Sequence, residues 1–131
     1  VIAKTSARIS AGLYVALALT ALLGVYVGGL ANPFTVWNLV PLAVVAVVQH
    51  RASRSSLAAI GFTIVTCAIV AVAHLAWLFD WGGTATGSST AGLMFVTLPI
   101  VALLVGSVGW LAGWAIGRAL SWRVRQGRDT G

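Results

Sequence analysis

The chain has 131 residues, of which 60% are hydrophobic and 8% charged, with two acidic and eight basic side chains. A water-soluble domain carries about 25% charged residues, so a soluble fold is excluded before any pattern is read. The net charge of +6 sits in short loops and a tail that flank apolar stretches, which points to orientation in a membrane and away from nucleic acid.

Lys4 and Arg8 precede the first apolar stretch, which is expected to be a helix from about Ser10 to Ala31. At ~1.5 Å per residue it is long enough to cross a hydrocarbon core of ~30 Å. No small-x-small cleavage site follows it, so it reads as a retained helix and not as a signal peptide. Asn32-Pro33 then marks a stop and a start, because Asn is a good N-cap and Pro at the first helical position loses no available hydrogen bond. Helix 2 follows from Pro33 to about His50, with a bend expected at Pro41.

Arg51 and Arg54 separate helix 2 from helix 3, which spans about Leu57 to Phe79. The loop from Trp81 to Thr90 is small and polar, with Ser88, Ser89 or Thr90 available to cap the next helix. Helix 4 is expected from about Ser89 to Gly117, with a second kink at Pro99, and its length calls for tilt or extension beyond the bilayer. A basic tail, 118–131, carries Arg118, Arg123, Arg125 and Arg128 and is expected to lie on the membrane surface or to be disordered.

Four crossings put every basic cluster on one side, and the enrichment of Lys and Arg in cytoplasmic loops makes that side the cytoplasm. The fold class that follows is all-α, a single-domain integral membrane four-helix bundle with N- and C-terminus cytoplasmic, in a bacterial inner membrane. Aromatic placement agrees: Tyr26, Trp37, Trp77 and Trp81 fall at the outer level, and Trp110, Trp114 and Trp122 toward the inner one. Anionic lipids are the expected partners of Arg118, Arg123, Arg125 and Arg128, at roughly 1 kcal/mol per basic residue near the surface.

Small residues recur every fourth position in helix 1, at Gly12, Ala16, Thr20, Gly24 and Gly28. Helix 4 repeats the pattern with Gly109, Gly113 and Gly117, and Ala102 and Gly106 lie near the same face. Such stripes let backbones approach closely where no hydrophobic effect drives association. They either hold this bundle together or dock it against another subunit, and in the second case Gly24, Gly28, Gly109 and Gly113 would make the contact.

His74 lies inside helix 3, and an ionisable group at that depth is a functional candidate. Thr63, Cys67, His74, Trp77 and Trp81 follow one helical face at spacings of three, four and seven. Two readings compete for His74: axial ligation of a haem or chlorophyll-type pigment, and a neutral imidazole that hydrogen-bonds within the bundle. Cys67, the sole cysteine, stands ~10 Å from His74 along the axis, too far to share a metal. Asp80 and the serines Ser88 and Ser89 could imitate a Ser-His-Asp set with His74, but triads are defined by geometry, and Asp80 reads better as a loop cap or as a residue sitting in water. No predicted span carries an acid at depth. Asn38, Thr20, Thr63, Thr66, Thr97 and Ser107 could line a polar path in a small oligomeric transporter or channel, and each is equally a helix-packing residue.

Two stretches resemble known proteins. Gly87-Ser88-Ser89-Thr90-Ala91-Gly92-Leu93-Met94-Phe95, followed by Leu98-Pro99 and by Gly106, Gly109 and Gly113, resembles a segment of small uncharacterised bacterial membrane proteins. That resemblance implies kinship and no activity. Val70-Ala71-Val72-Ala73-His74-Leu75-Ala76-Trp77 is similar to the membrane helix of light-harvesting antenna β polypeptides. There the His after Ala ligates bacteriochlorophyll, which maps pigment ligation onto His74 alone. The reading that absorbs most of these features is a non-catalytic accessory subunit packed onto a larger membrane protein complex. Pigment or haem binding at His74 and transport are its alternatives.

Overall fold

A computed structural model describes residues 2–52, 56–87 and 91–129, with side chains for 9–52, 56–87 and 91–126. Four helices follow in chain order: α1 (Ile2–Gly28), α2 (Pro33–Arg51), α3 (Leu57–Leu78) and α4 (Met94–Asp129). Single 3₁₀ turns at Trp81–Gly83 and Ala91–Leu93 occupy the connection before α4. All four helices are long and apolar enough to cross a membrane.

Local chemistry sets the helix ends. Asn32 caps α2, its side-chain oxygen accepting from the Phe34 N–H at 2.9 Å, and Pro33 takes the first helical position as the sequence predicts. Ser56 caps α3 by accepting from the Ala59 N–H at 3.3 Å. The first helix ends at Gly28, short of the expected Ala31, because Gly29 adopts φ +76° and its N–H turns back to the Val25 carbonyl at 2.8 Å. A left-handed glycine just past the last helical residue is a common helix stop.

The largest departure is at the other end of the chain. Helix α4 does not stop near Gly117 but runs on to Asp129, so the basic tail is a helical extension. Residues 118–126, RALSWRVRQ, contain no proline and several strong helix formers. Their arginines also lie toward the helix C-terminus, where positive charge is favoured by the macrodipole. The isolated Gly117 costs only about 1 kcal/mol in a helix and does not end it. Both α2 and α4 continue through their prolines, Pro41 and Pro99, which are fully buried.

The most extensive packing is between α3 and α4; α1 packs on α3 and α2, and α2 also meets α4. Leu42, Cys67, Val70 and Ala102 form the centre, one residue from α2, two from α3 and one from α4. Around this apolar centre several polar side chains are buried, and large apolar ones cover the exterior. Thr20, Thr35, Asn38, Thr63, Thr66 and His74 are buried, while Leu19, Leu22, Ile64, Leu104, Val108 and Leu111 are each more than half exposed.

Candidate functional site

His74 is 2% exposed and enclosed on all sides that bear on ligation. Its Nδ1 lies 2.7 Å from the Val70 carbonyl, which can only accept, so this nitrogen carries the proton and Nε2 is the acceptor in the neutral ring. Nε2 faces Gly24 of α1: a Cβ built on that glycine would lie 3.5 Å from Nε2 and 3.7 Å from Leu39 Cδ2. Phe95 of α4 tilts against the ring at 5.2 Å, and Trp77 meets Phe95 edge-on at 5.1 Å. A haem or chlorophyll needs open space beside the ligating nitrogen. Here α1 fills that space, so axial ligation by His74 does not fit this packing.

The other residues on the His74 face separate. Thr63 donates to the Ala59 carbonyl at 2.9 Å and stands 3.3 Å from Gln49 Oε1. Cys67 is buried in the centre of the bundle. Trp81 lies beyond the helix end and is exposed. Among the described residues, no group of three His, Cys, Asp or Glu side chains could hold a metal ion.

Asp80 closes the loop after α3, as the loop-cap reading expects. Its carboxylate accepts from the Ala85 N–H at 2.7 Å, the Thr86 N–H at 3.2 Å and the Thr86 hydroxyl. The Thr86 hydroxyl and the Ala85 N–H, with the Thr86 N–H behind them, hold this carboxyl below its ordinary range. His74 Nδ1 is bonded to Val70 and Asp80 to its own loop, so these two do not make the His–Asp link a triad needs. Ser88, Ser89 and Thr90, and with them the helix-cap expectation and the serine of that set, lie outside the described residues.

The glycines of α4 are consumed inside the chain. Cβ atoms at Gly106, Gly109 and Gly113 would collide with Thr66, with Gly61 and Val65, and with Leu57 and Ala58, all on α3. Gly117 stands 3.8 Å from Leu57 Cδ1 on the same count. In α1, Gly28 closes on Thr35 of α2 and Gly24 on His74. The expectation that Gly24, Gly28, Gly109 and Gly113 face another subunit is therefore corrected: they bring this chain's own backbones together. Gly12 differs, with nothing among the described residues within 4 Å of its Cβ position, and Ala16 beside it is exposed.

Along the basic extension, Arg118 lies 5.3 Å over the Trp114 ring, and Arg123 and Arg125 are exposed. The side chains of Arg128, Lys4 and Arg8, and all of Arg54, lie outside the described residues. The polar side chains considered for a transport path do not form one file. Thr20, Ser107 and Thr97 bond to carbonyls of their own helices, at Ala16, Leu103 and Met94, and Thr97 and Ser107 are exposed.

The end of the bundle that carries the α1–α2 turn and the loop after α3 holds a cavity of about 380 Å³. Thr35 and Asn38 line it, each 4% exposed. Thr35 Oγ1 and Asn38 Oδ1 are buried without a hydrogen-bond partner among the described residues. Asn38, a polar residue in an apolar helix, was visible in the sequence. Thr35 carries no such signal, and the aromatic walls of Phe34, Trp77 and Phe95 come from three helices. Trp37 fixes the neighbouring wall, its indole N–H donating to the Val96 carbonyl of α4 at 2.9 Å. Against this geometry, no protein-family model, curated protein or solved structure matches the chain.

Proposed function

We propose that the chain is a polytopic protein of a bacterial inner membrane, with both termini on the cytoplasmic side, that serves as a non-catalytic subunit of a larger membrane complex. Four helices of membrane-spanning length and an apolar exterior that leaves several polar side chains buried support insertion. Lys4, Arg8, Arg51, Arg54 and the arginines of the α4 extension support the orientation. Arg118, Arg123, Arg125 and Arg128 would contact anionic headgroups at the inner surface.

One observation carries the subunit reading. The small-residue stripe of α1 is packed in its outer half, through Thr20, Gly24 and Gly28, and open in its inner half, at Gly12 and Ala16. There α1 meets the bundle through Leu13 and Leu17 instead. The open half offers a close-approach surface for an apolar helix of another subunit. The test is native purification in mild detergent of the wild type and of a Gly12→Leu/Ala16→Leu variant. The variant should insert normally and migrate without the partner proteins of the wild type. Unchanged co-migration, or a wild type that travels alone, would defeat the reading.

A further inference from the structure

A groove of about 600 Å³ opens at the end of the bundle where α4 outruns α3. Gly113 packs against the carbonyl of Leu57, the first residue of α3, and Gly117 still reaches the Leu57 side chain. Past that crossing α4 runs on to Asp129. Arg118 and Arg125 line the groove from α4, on one helix face and about 10 Å apart along the axis. Ser56 lines it from the start of α3. The Arg118 guanidinium stacks over the Trp114 ring at 5.3 Å. Stacking uses the guanidinium face and leaves its in-plane N–H groups available to donate. The Ser56 hydroxyl accepts from the Ala59 N–H as the cap of α3 and keeps its own proton for another acceptor. The first turn of α3 adds the positive end of a helix dipole. Among the described side chains Asp80 is the one acid, and its carboxylate is tied into the loop at the other end of α3. The two guanidinium groups therefore have no carboxylate partner among the described residues.

We infer that this groove binds the phosphate of one anionic phospholipid. Phosphate oxygens match the planar donor fork of arginine, and the Ser56 hydroxyl supplies a further donor from the second helix. Leu57, Leu120, Trp114 and Trp122 make the rest of the lining apolar or amphipathic, which suits a headgroup that carries acyl chains and not a soluble anion. Tryptophan is also enriched at the headgroup level of a bilayer. Such a site deepens the proposed headgroup contact of the α4 arginines, on which it rests. Arg118 and Arg125 line the groove, whereas Arg123, with the same charge, does not.

The experiment is titration of the full chain in non-ionic detergent with dioleoyl phosphatidylglycerol or dioleoyl phosphatidylcholine, the bound lipids being counted by native mass spectrometry. The first phosphatidylglycerol should bind at least about tenfold more tightly than phosphatidylcholine. Arg118→Gln and Arg125→Gln should each lower that preference about fivefold, the effect of one basic residue at a charged headgroup. Arg123→Gln removes the same charge outside the groove and should lower it by less than about twofold, as expected of a screened surface charge. Ser56→Asp keeps a good N-cap and sets a carboxylate in the groove, so it should abolish the preference. Detergent gel filtration and circular dichroism of each variant separate lost binding from lost fold. A wild type without preference for phosphatidylglycerol would overturn both the groove and the headgroup contact. Equal losses at Arg118, Arg123 and Arg125 would overturn the groove and leave diffuse headgroup contact standing. Displacement of the bound lipid by glycerophosphate at matching concentration would overturn the lipid assignment and make the ligand a soluble phosphate ester.

Discussion

His74 on α3 occupies the space that Gly24 leaves on α1, with the Gly24 Cβ position 3.5 Å from Nε2. That separation is ordinary van der Waals contact, so one methyl group fits and a branched side chain does not. Gly24→Ala should leave stability nearly unchanged or raise it, since Gly→Ala in a helix interior favours the helix by up to about 1 kcal/mol. Gly24→Val should cost about 1–3 kcal/mol by overpacking. Unfolding in mixed micelles measures both. A Gly24→Val variant as stable as the wild type would mean that the ring does not sit against α1.

The glycines of α4 should respond more severely, because their neighbours include backbone. A Cβ at Gly109 would approach Gly61 O to 2.6 Å and Val65 Cγ2 to 2.7 Å, and one at Gly113 would collide with the Leu57 carbonyl. Flexible side chains can turn aside, whereas a carbonyl moves only with its helix. Gly109→Ala and Gly113→Ala should each cost about 2 kcal/mol or more, while Gly12→Ala, in open space, should be neutral or stabilising. Thermal unfolding of the three variants in one detergent tests the contrast. Equal tolerance at all three positions would show that α3 and α4 do not meet at these glycines.

The contrast also explains what the sequence could reveal. Helix number and placement were legible because apolar runs, Asn32-Pro33 and the basic clusters are local signals. The spacing of Gly106, Gly109 and Gly113 announced a close-packed face but could not name the helix on the other side. Spacing describes one surface, and its partner, Gly61 with Val65, lies about fifty residues away in the chain. The run of α4 past Gly117 is less legible, because a short polar, basic segment suits a disordered or surface-lying tail by composition, and only the helix-forming tendency of its arginines favours continuation. The cavity beside Asn38 is hidden from the sequence because Asn38 is conspicuous alone, but its walls need α1, α3 and α4 as well.

Asp80 gives the loop after α3 a pH dependence of defined sign. The Thr86 hydroxyl, followed by the Ala85 N–H, holds its folded-state carboxyl below the usual range of about 3.9 for an unperturbed Asp. A depressed folded pKa means that the loop is fully tied above the unfolded value and comes loose as pH falls through the folded one. Carbon-13 NMR of the Asp80 carboxyl should show a midpoint below that of a model peptide. At neutral pH, Asp80→Ala should speed amide exchange at Ala85 and Thr86 and leave α3 unaffected. A midpoint at or above the peptide value would contradict the hydrogen bonds.

Thr66 and Gly106 support the least intuitive expectation. Thr66 is 0% exposed, and its hydroxyl oxygen has no hydrogen-bond partner among the described residues. That oxygen lies where a Cβ on Gly106 would fall, so α4 carries glycine there because α3 carries a hydroxyl. An unpaired buried hydroxyl is a cost, and an apolar group of the same shape removes it. Thr66→Val should therefore be neutral or stabilising by up to about 1 kcal/mol, although it deletes a polar group from a polar-cored bundle. Gly106→Ala should destabilise in the wild type and much less when combined with Thr66→Ala, where the space is already vacated. A double-mutant cycle reads that coupling directly. Additive losses would mean that Gly106 is held by Phe62, whose ring carbons also lie 3.0 and 3.2 Å from the Cβ position, and not by the hydroxyl.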